Sequence, residues 1–382
     1  MNAEKRQRLE DAKRLVVKIG SALLVDQKTG ELRSAWLASL ADDVARLKAR
    51  GQEALIVSSG AIALGRRQLG LTGRKRKLTL EEQQAAAAVG QIGLAHAYQE
   101  SFARHGFVIS QILLTLRDTE EWRQHLNARN TLAALLRLGA VPVINENDTV
   151  ATEEIRFGDN DRLAARVAQM ASADTLILLS DIDGLYTADP KHHKTAKHIP
   201  IVRELSPEIE AMAAAARPGY SSGGMPTKLA AAKIAMSAGC RMAIAKSEPL
   251  HPLSTLEAGA ACTWFLPRTS PLTARRQLIA TALKPAGSVV VDAGAATALR
   301  ANKSLLPAGV VAVVGNFERG DAILVSDREG REIARGLSAY GAADARRIMG
   351  HQSREIEALL GYRGREELIH RDDLVLSPPS HD

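Results

Sequence analysis

The sequence predicts an α/β layer sandwich built on a parallel sheet, with a small, mostly β module after it. Three observations lead there: apolar runs that do not alternate, helical patterns between them, and a change of character near residue 267. The runs fall at 15–19, 54–57, 108–114, 141–144, 175–179 and 242–245. A strand apolar on successive residues suits a sheet covered on both faces. Between the first two runs, AWLASLADDVARLKARG puts Leu37, Leu40, Val44 and Leu47 on one helical face, and Gly51 stands where the helix should stop. Residues 81–104 and 127–138 are Ala- and Leu-rich, with Gly139 after the second. Strands alternating with helices make βαβ units.

Past residue 267, PRTSPLTARR offers turn formers and charge with little periodicity, so 268–283 reads as a linker after a first domain over 1–267. GSVVVDAG, GVVAVVGNFERGDAILV and REIARGLS follow as short β-rich pieces, and NFERGD (316–321) reads as a turn joining two strands. They define a module over 284–364. Residues 365–382 are left as a tail, and SPPSHD has the composition of a frayed end.

At 382 residues, 46% apolar and 24% charged, the chain can bury a large core. The opening MNAEKRQRLEDAKR has no apolar segment, and no run approaches 18 apolar residues, so neither a secretory signal nor a membrane span is expected. Cys240 and Cys262 fall in no metal-ligand spacing; the expected compartment is the cytoplasm. The net charge of +7 is unevenly spread. From Pro285 onward 12 basic residues face 14 acidic ones, whereas 66–77 (RRQLGLTGRKRK) holds six basic residues and no acid. A run of this kind reads as a solvated or substrate-steering loop before a nucleic-acid patch.

The patterns of a Walker A loop, G-x-G-x-x-G, H-E-x-x-H and G-x-S-x-G are absent, which argues against a zinc enzyme, a Rossmann dehydrogenase and a serine hydrolase. Three Gly/Ser turns follow expected strands instead. In LVVKIGSALL, Lys18 closes a strand before Gly20 and Ser21; in LIVSSGAIALG, Ser58, Ser59 and Gly60 precede a helix from about Ala61; in SSGGMPTKLAAAKIA, two glycines precede a helix with Lys228 in its first turn. Any one such glycine can serve a tight βα turn alone. Three together, two with a lysine, favour phosphate chemistry, because N–H groups and an ammonium converge on anions there. LILLSDIDGLYTADP is a strand entering an acidic loop, and composition does not separate a structural from a binding role. In ENDTVATEEIRFGDND (146–161), six of sixteen residues are acidic and one is basic. A metal site, a site for a cationic or zwitterionic ligand and a solvated loop all fit that composition.

The motifs VVKIGS, VSSGAIALG, AVGQIGL, NARNTL, VPVINENDTVATEEIRFGDNDRLAA, LLSDIDGLYTADP and SGGMPTKLAAA resemble, in order and spacing, the amino-acid kinase family. They are most similar to the branch that phosphorylates the γ-carboxylate of L-glutamate at the start of proline biosynthesis. SLLPAGV, VGNFERGDAI, GHQSREIEALLGY and HRDD extend the likeness into a PUA-like module. The resemblance implies a three-layer αβα sandwich around a mainly parallel sheet, ATP with Mg²⁺ as phosphoryl donor, and L-glutamate as acceptor. It implies that Lys18 and Lys228 flank the transferring phosphoryl group and that Asp161 organises them. Ser59, Asp148 and Asn160 match glutamate-binding positions. Lys18, Ser180, Asp181 and the run Ser222, Gly223, Gly224, Met225, Pro226, Thr227 and Lys228 match the nucleotide contacts. On this view Asp148 accepts from the α-ammonium, Asn160 donates to a carboxylate, Glu153 and Glu154 are solvated, and no dedicated protein metal cage is needed. Proline as feedback inhibitor, a homo-oligomer and glutamyl-phosphate reductase as partner are implied as well.

Acetylglutamate, aspartate, carbamate and uridylate kinases share the fold and the glycine turns, but the 146–161 block and the appended module oppose them. The bifunctional pyrroline-carboxylate synthetase needs a reductase domain for which this chain has no room. An RNA-binding protein acting through the module is the rival from another class, and the acidic balance of that part opposes it.

Overall fold

The computed structural model describes residues 8–26, 29–71, 78–150, 160–190, 192–214, 224–282 and 284–377. The chain divides into two compact units, Met1–Pro271 and Leu272–Asp382. The first carries β1 (Arg14–Ile19), β2 (Glu53–Ser58), β3 (Ile109–Leu114), β4 (Val141–Glu146), β5 (Thr175–Ser180), β6 (Leu185–Tyr186), β7 (His198–Ile199), β8 (Ile201–Val202), β9 (Arg241–Lys246) and β10 (Cys262–Phe265). Each of the six apolar runs falls on one of these strands, Val108 alone lying outside. Eight strands form one sheet in the order β3-β4-β2-β1-β5-β9-β10-β8, and β6 pairs with β7 apart from it. From β3 across to β9 every pairing is parallel; β10 runs against β9, and β8 along β10.

The absence of alternation in the strands has a direct cause. Leu15, Val17 and Ile19 of β1 pack with Leu37, Leu40, Val44 and Leu47 of the helix Ser34–Ala49 and with Tyr98 and Phe102 of the helix Leu80–Ala103. Val16 faces the other way, toward Leu163 and Val167 of the helix Asn160–Met170 and Leu229 and Ala235 of the helix Met225–Ser237. Both pleat faces are covered, so both sets of residues are apolar. The result is three layers. The run at 108–114 differs, because β3 ends the sheet: Gln111 and Leu113 are exposed, and Val108 lies outside the strand and is 71% exposed. Glu146, counted above with an acidic loop, is buried at the end of β4.

The second unit is a five-stranded sheet, β12-β11-β13-β14-β15, made of β11 (Gly287–Val291), β12 (Val310–Gly315), β13 (Ala322–Ser326), β14 (Glu332–Leu337) and β15 (Leu374–Leu376). NFERGD does join two strands, but β12 and β13 lie on opposite sides of β11 and do not form a hairpin. The stretch 268–283, read as a linker, holds the helix Pro271–Gln277 and a π-helical segment, Leu278–Ala282; within the unit Arg275 pairs with Asp373 at 2.6 Å. The stretch 365–382 supplies the edge strand β15 and buries Leu368, Ile369 and Leu374 in the unit's core. Residues 378–382 lie outside the described residues.

Candidate active site

β1 ends between β2 and β5, with Ile19 opposite Ser58 on one side and Leu179 on the other, so three strands deliver their following residues to one edge of the sheet. Lys18 stands two residues beyond Val16 and therefore points to the same face. On that face the helices Asn160–Met170 and Met225–Ser237 pack side by side, each burying an apolar stripe against the sheet. Their first turns bring Asp161 and Lys228 to the end of β1.

Asp161 is 1% exposed, Lys18 8% and Lys228 5%. Lys18 Nζ lies 2.6 Å from Asp161 Oδ1, and Lys228 Nζ lies 3.1 Å from Oδ2. Thr227 Oγ1 is 3.2 Å from the same Oδ2 and 2.8 Å from the carbonyl of Gly224, two acceptors for its one proton. Burial alone would push the Asp161 carboxyl up, but the Lys18 and Lys228 ammoniums hold it below its ordinary value. Two buried ammoniums thus meet on one carboxylate. Gly224 caps the helix Met225–Ser237 without a side-chain hydrogen bond, so backbone N–H groups of that first turn add to the positive field. Two lysines beside a helix N-terminus are suited to an anion.

Asn160, next to Asp161, builds a second cluster. Its Nδ2 lies 2.8 Å from the carbonyl of Ser58, 2.6 Å from Ser59 Oγ and 3.1 Å from Asn145 Oδ1, three acceptors for its two protons. Asn145 Oδ1 also accepts from the Glu146 N–H at 2.9 Å, and Asn145 Nδ2 donates to Gln91 Oε1 at 2.8 Å. These partners fix both amides, since a flipped Asn160 would set oxygen against oxygen. In this structure the Asn160 N–H groups, expected from the sequence to face a substrate carboxylate, lie against acceptors of the protein itself. Its Oδ1 is buried without a hydrogen-bond partner among the described residues, which a donor from outside would satisfy. Ser59 is held by its own N–H on the carbonyl of Ile19 at 3.2 Å, and Gly60, at φ +110°, makes the left-handed turn into the helix Ala61–Gln68. Asp148 is half-buried just beyond β4, and burial pushes its carboxyl up to about 6.

On the other side of β1, Ser180 ends β5 and its Oγ donates to Asp181 Oδ1 at 3.1 Å. The Ser180 carbonyl accepts from both the N–H and the hydroxyl of Ser247. Of the residues named from the sequence, Lys18, Lys228, Asp161, Thr227 and Gly224 meet in one cluster, and Ser59 and Asn160 in the adjoining one. Met225 and Pro226 open the helix that carries Lys228. Ser222 and Gly223, Glu153 and Glu154, and the basic residues at 74–77 lie outside the described residues. Asn145, Gln91 and Tyr98 were missed as site residues: the first two sit within quoted motifs, but nothing local distinguishes them from packing. Among the described residues no helix is long and apolar enough to cross a membrane, and no group of three His, Cys, Asp or Glu side chains is placed to hold a metal ion.

A parallel αβα sandwich with a buried lysine pair and glycine turns at its strand ends has the build of a phosphotransferase. A sequence profile of the amino acid kinase family matches residues 13–246, one of the PUA domain matches residues 287–360, and the chain belongs to the amino acid kinase family. Over 368 residues it is 63% identical to the Glutamate 5-kinase of Paramagnetospirillum magneticum, covering 96% of this chain and 99% of that protein. It is 60% identical over 375 residues to Glutamate 5-kinase 1 of Rhizobium meliloti, covering 98% and 95%. A solved carbamate kinase from Giardia lamblia bound to AMP-PNP has the same fold, with a TM-score of 0.50 at 13% identity over 68% of this chain and 100% of that one.

Proposed function

We propose that the protein transfers the γ-phosphoryl group of ATP to the γ-carboxylate of L-glutamate, giving L-glutamyl 5-phosphate and ADP. A carboxylate oxygen attacks the γ-phosphorus, and the bond to the β–γ bridging oxygen breaks with its electron pair leaving on ADP. The observation that carries this reading is the buried lysine pair: Lys18 and Lys228 meet on the Asp161 carboxylate at the end of β1. The acceptor is already ionised near neutral pH, so the reaction needs no general base, and a carboxylate held below its ordinary pKa between two ammoniums is a poor base. Neutralising charge on the phosphoryl oxygens and holding the two substrates in line are what remain to be done. Lys18 and Lys228 supply the charge, and Asp161 sets their spacing.

The adjoining cluster suits the acceptor's amino end. Asn160 Oδ1 and Asp148 accept from the α-ammonium, and the N–H groups beyond Gly60 face a carboxylate. Ser180, Asp181 and the turn at 222–228 take the nucleotide, which brings Mg²⁺ with it. The close relatives' likeness extends the reading to a cytoplasmic homo-oligomer restrained by proline near the glutamate pocket, with glutamyl-phosphate reductase consuming the labile product. The test is ADP formation from Mg-ATP with L-glutamate, N-acetyl-L-glutamate or L-aspartate in parallel. Turnover with L-glutamate above the other two is expected. A preference for N-acetyl-L-glutamate would overturn the assignment of Asn160 and Asp148 to a free ammonium.

A further inference from the structure

We propose that the helix Leu80–Ala103 is the positioning element of the acceptor site and that Tyr98 is a positioning residue for the Ser58-Ser59 turn. The inference rests on the glutamate-kinase reading and deepens it. Three contacts from this one helix converge on the cluster around Asn160. At Gly90 the backbone lies directly against the helix Ala61–Gln68, which starts at the Ser59-Gly60 turn: a Cβ on Gly90 would stand 1.8 Å from the Ala61 carbonyl oxygen, and one on Gly65 would stand 1.8 Å from that of Ala86. The two helices touch backbone to backbone, so neither slides without the other. One residue on, Gln91 Oε1 accepts from Asn145 Nδ2, which turns Asn145 Oδ1 toward Asn160.

Two turns further along the same face, Tyr98, fully buried, donates its hydroxyl proton to Ser58 Oγ at 3.0 Å. The Ser58 hydroxyl then donates to the Ser59 carbonyl at 3.2 Å, while the Ser58 carbonyl accepts from Asn160. Tyr98 is thus two hydrogen bonds from the carbonyl of Ser59 and touches no expected substrate position itself. A tyrosine kept only for packing would need its hydroxyl satisfied, but any acceptor would serve. Here the acceptor is the residue that also anchors Asn160.

The test is steady-state kinetics of the full chain with L-glutamate and ATP each varied, for the wild type, Tyr98→Phe, Gly90→Ala and Leu94→Ala. Leu94 is equally buried on the same helix and belongs to its apolar core, so it reports on stability alone. Tyr98→Phe is expected to raise KM for L-glutamate about two- to ten-fold, the range for one net hydrogen bond, with KM for ATP unchanged. Gly90→Ala should raise it further, and Leu94→Ala should lower the melting temperature without separating the two KM values. An unchanged KM for L-glutamate in Tyr98→Phe, or equal rises in both KM values, overturns the inference while the kinase reading stands. Absence of glutamate-dependent turnover in the wild type overturns both.

Discussion

Removing the Asp161 carboxylate would take away the buried group on which two ammoniums meet. Asp161→Asn is expected to destabilise the fold by about 3–5 kcal/mol, the usual cost of breaking a buried ion pair from one side, measured by urea unfolding at pH 7. The pH dependence has a definite sign. Asp161 titrates below its ordinary 3.8 in the folded state, so its stabilisation is complete above that value and is lost as pH falls toward the folded pKa. The Asn variant should therefore lose stability less steeply than the wild type below pH 4. Asp148 has the opposite sign. Its carboxyl is pushed up to about 6, so ionising it opposes folding as pH rises through that value, yet only the ionised form attracts an ammonium. Asp148→Asn should leave the free protein slightly more stable at pH 8 and unchanged at pH 4. It should also raise KM for L-glutamate and abolish an acidic limb near pH 6 in kcat/KM. A limb that survives in the variant would assign it to another group.

Turns between strand and helix put these side chains in place, and Gly60 is the one most constrained. At φ +110° a side chain is strained whatever the space, and a Cβ would also meet Val25 Cγ2 at 3.4 Å. Gly60→Ala should cost about 1–2 kcal/mol and raise KM for L-glutamate more than KM for ATP; a fall in melting temperature with both KM values unchanged would contradict its place beside the acceptor. At this scale the sequence was legible where physics is local. Six apolar runs are strands, five of them buried on both faces, and Leu37, Leu40, Val44 and Leu47 are all fully buried on one helix. The coverage of β3 was not legible, because a strand at the edge of a sheet is set by topology and not by its own composition. The polarity of Asn160 was hidden for a related reason: its amide is oriented by Ser58 and Asn145, distant in the chain, and Asn145 in turn by Gln91. The helical turns within 268–283 and the strand at 374–376 escaped notice because such short elements gain their stability from tertiary packing and have little periodicity to display.

Over the whole molecule, every residue placed in the two clusters belongs to the unit Met1–Pro271, and the second unit is a five-stranded β module with its own core. The unit Leu272–Asp382 holds 15 basic and 14 acidic residues, so nearly all of the net charge of +7 lies in the unit Met1–Pro271. The central claim is that two lysines joined through Asp161 stabilise phosphoryl transfer to a carboxylate. It is tested most directly by trapping the acyl phosphate as its hydroxamate from Mg-ATP, L-glutamate and hydroxylamine, in the wild type, Lys18→Ala and Lys228→Ala. Hydroxamate formation by the wild type, with kcat reduced about a hundred-fold or more in each variant, is the predicted result. Hydroxamate formed at an undiminished rate by either variant would contradict it.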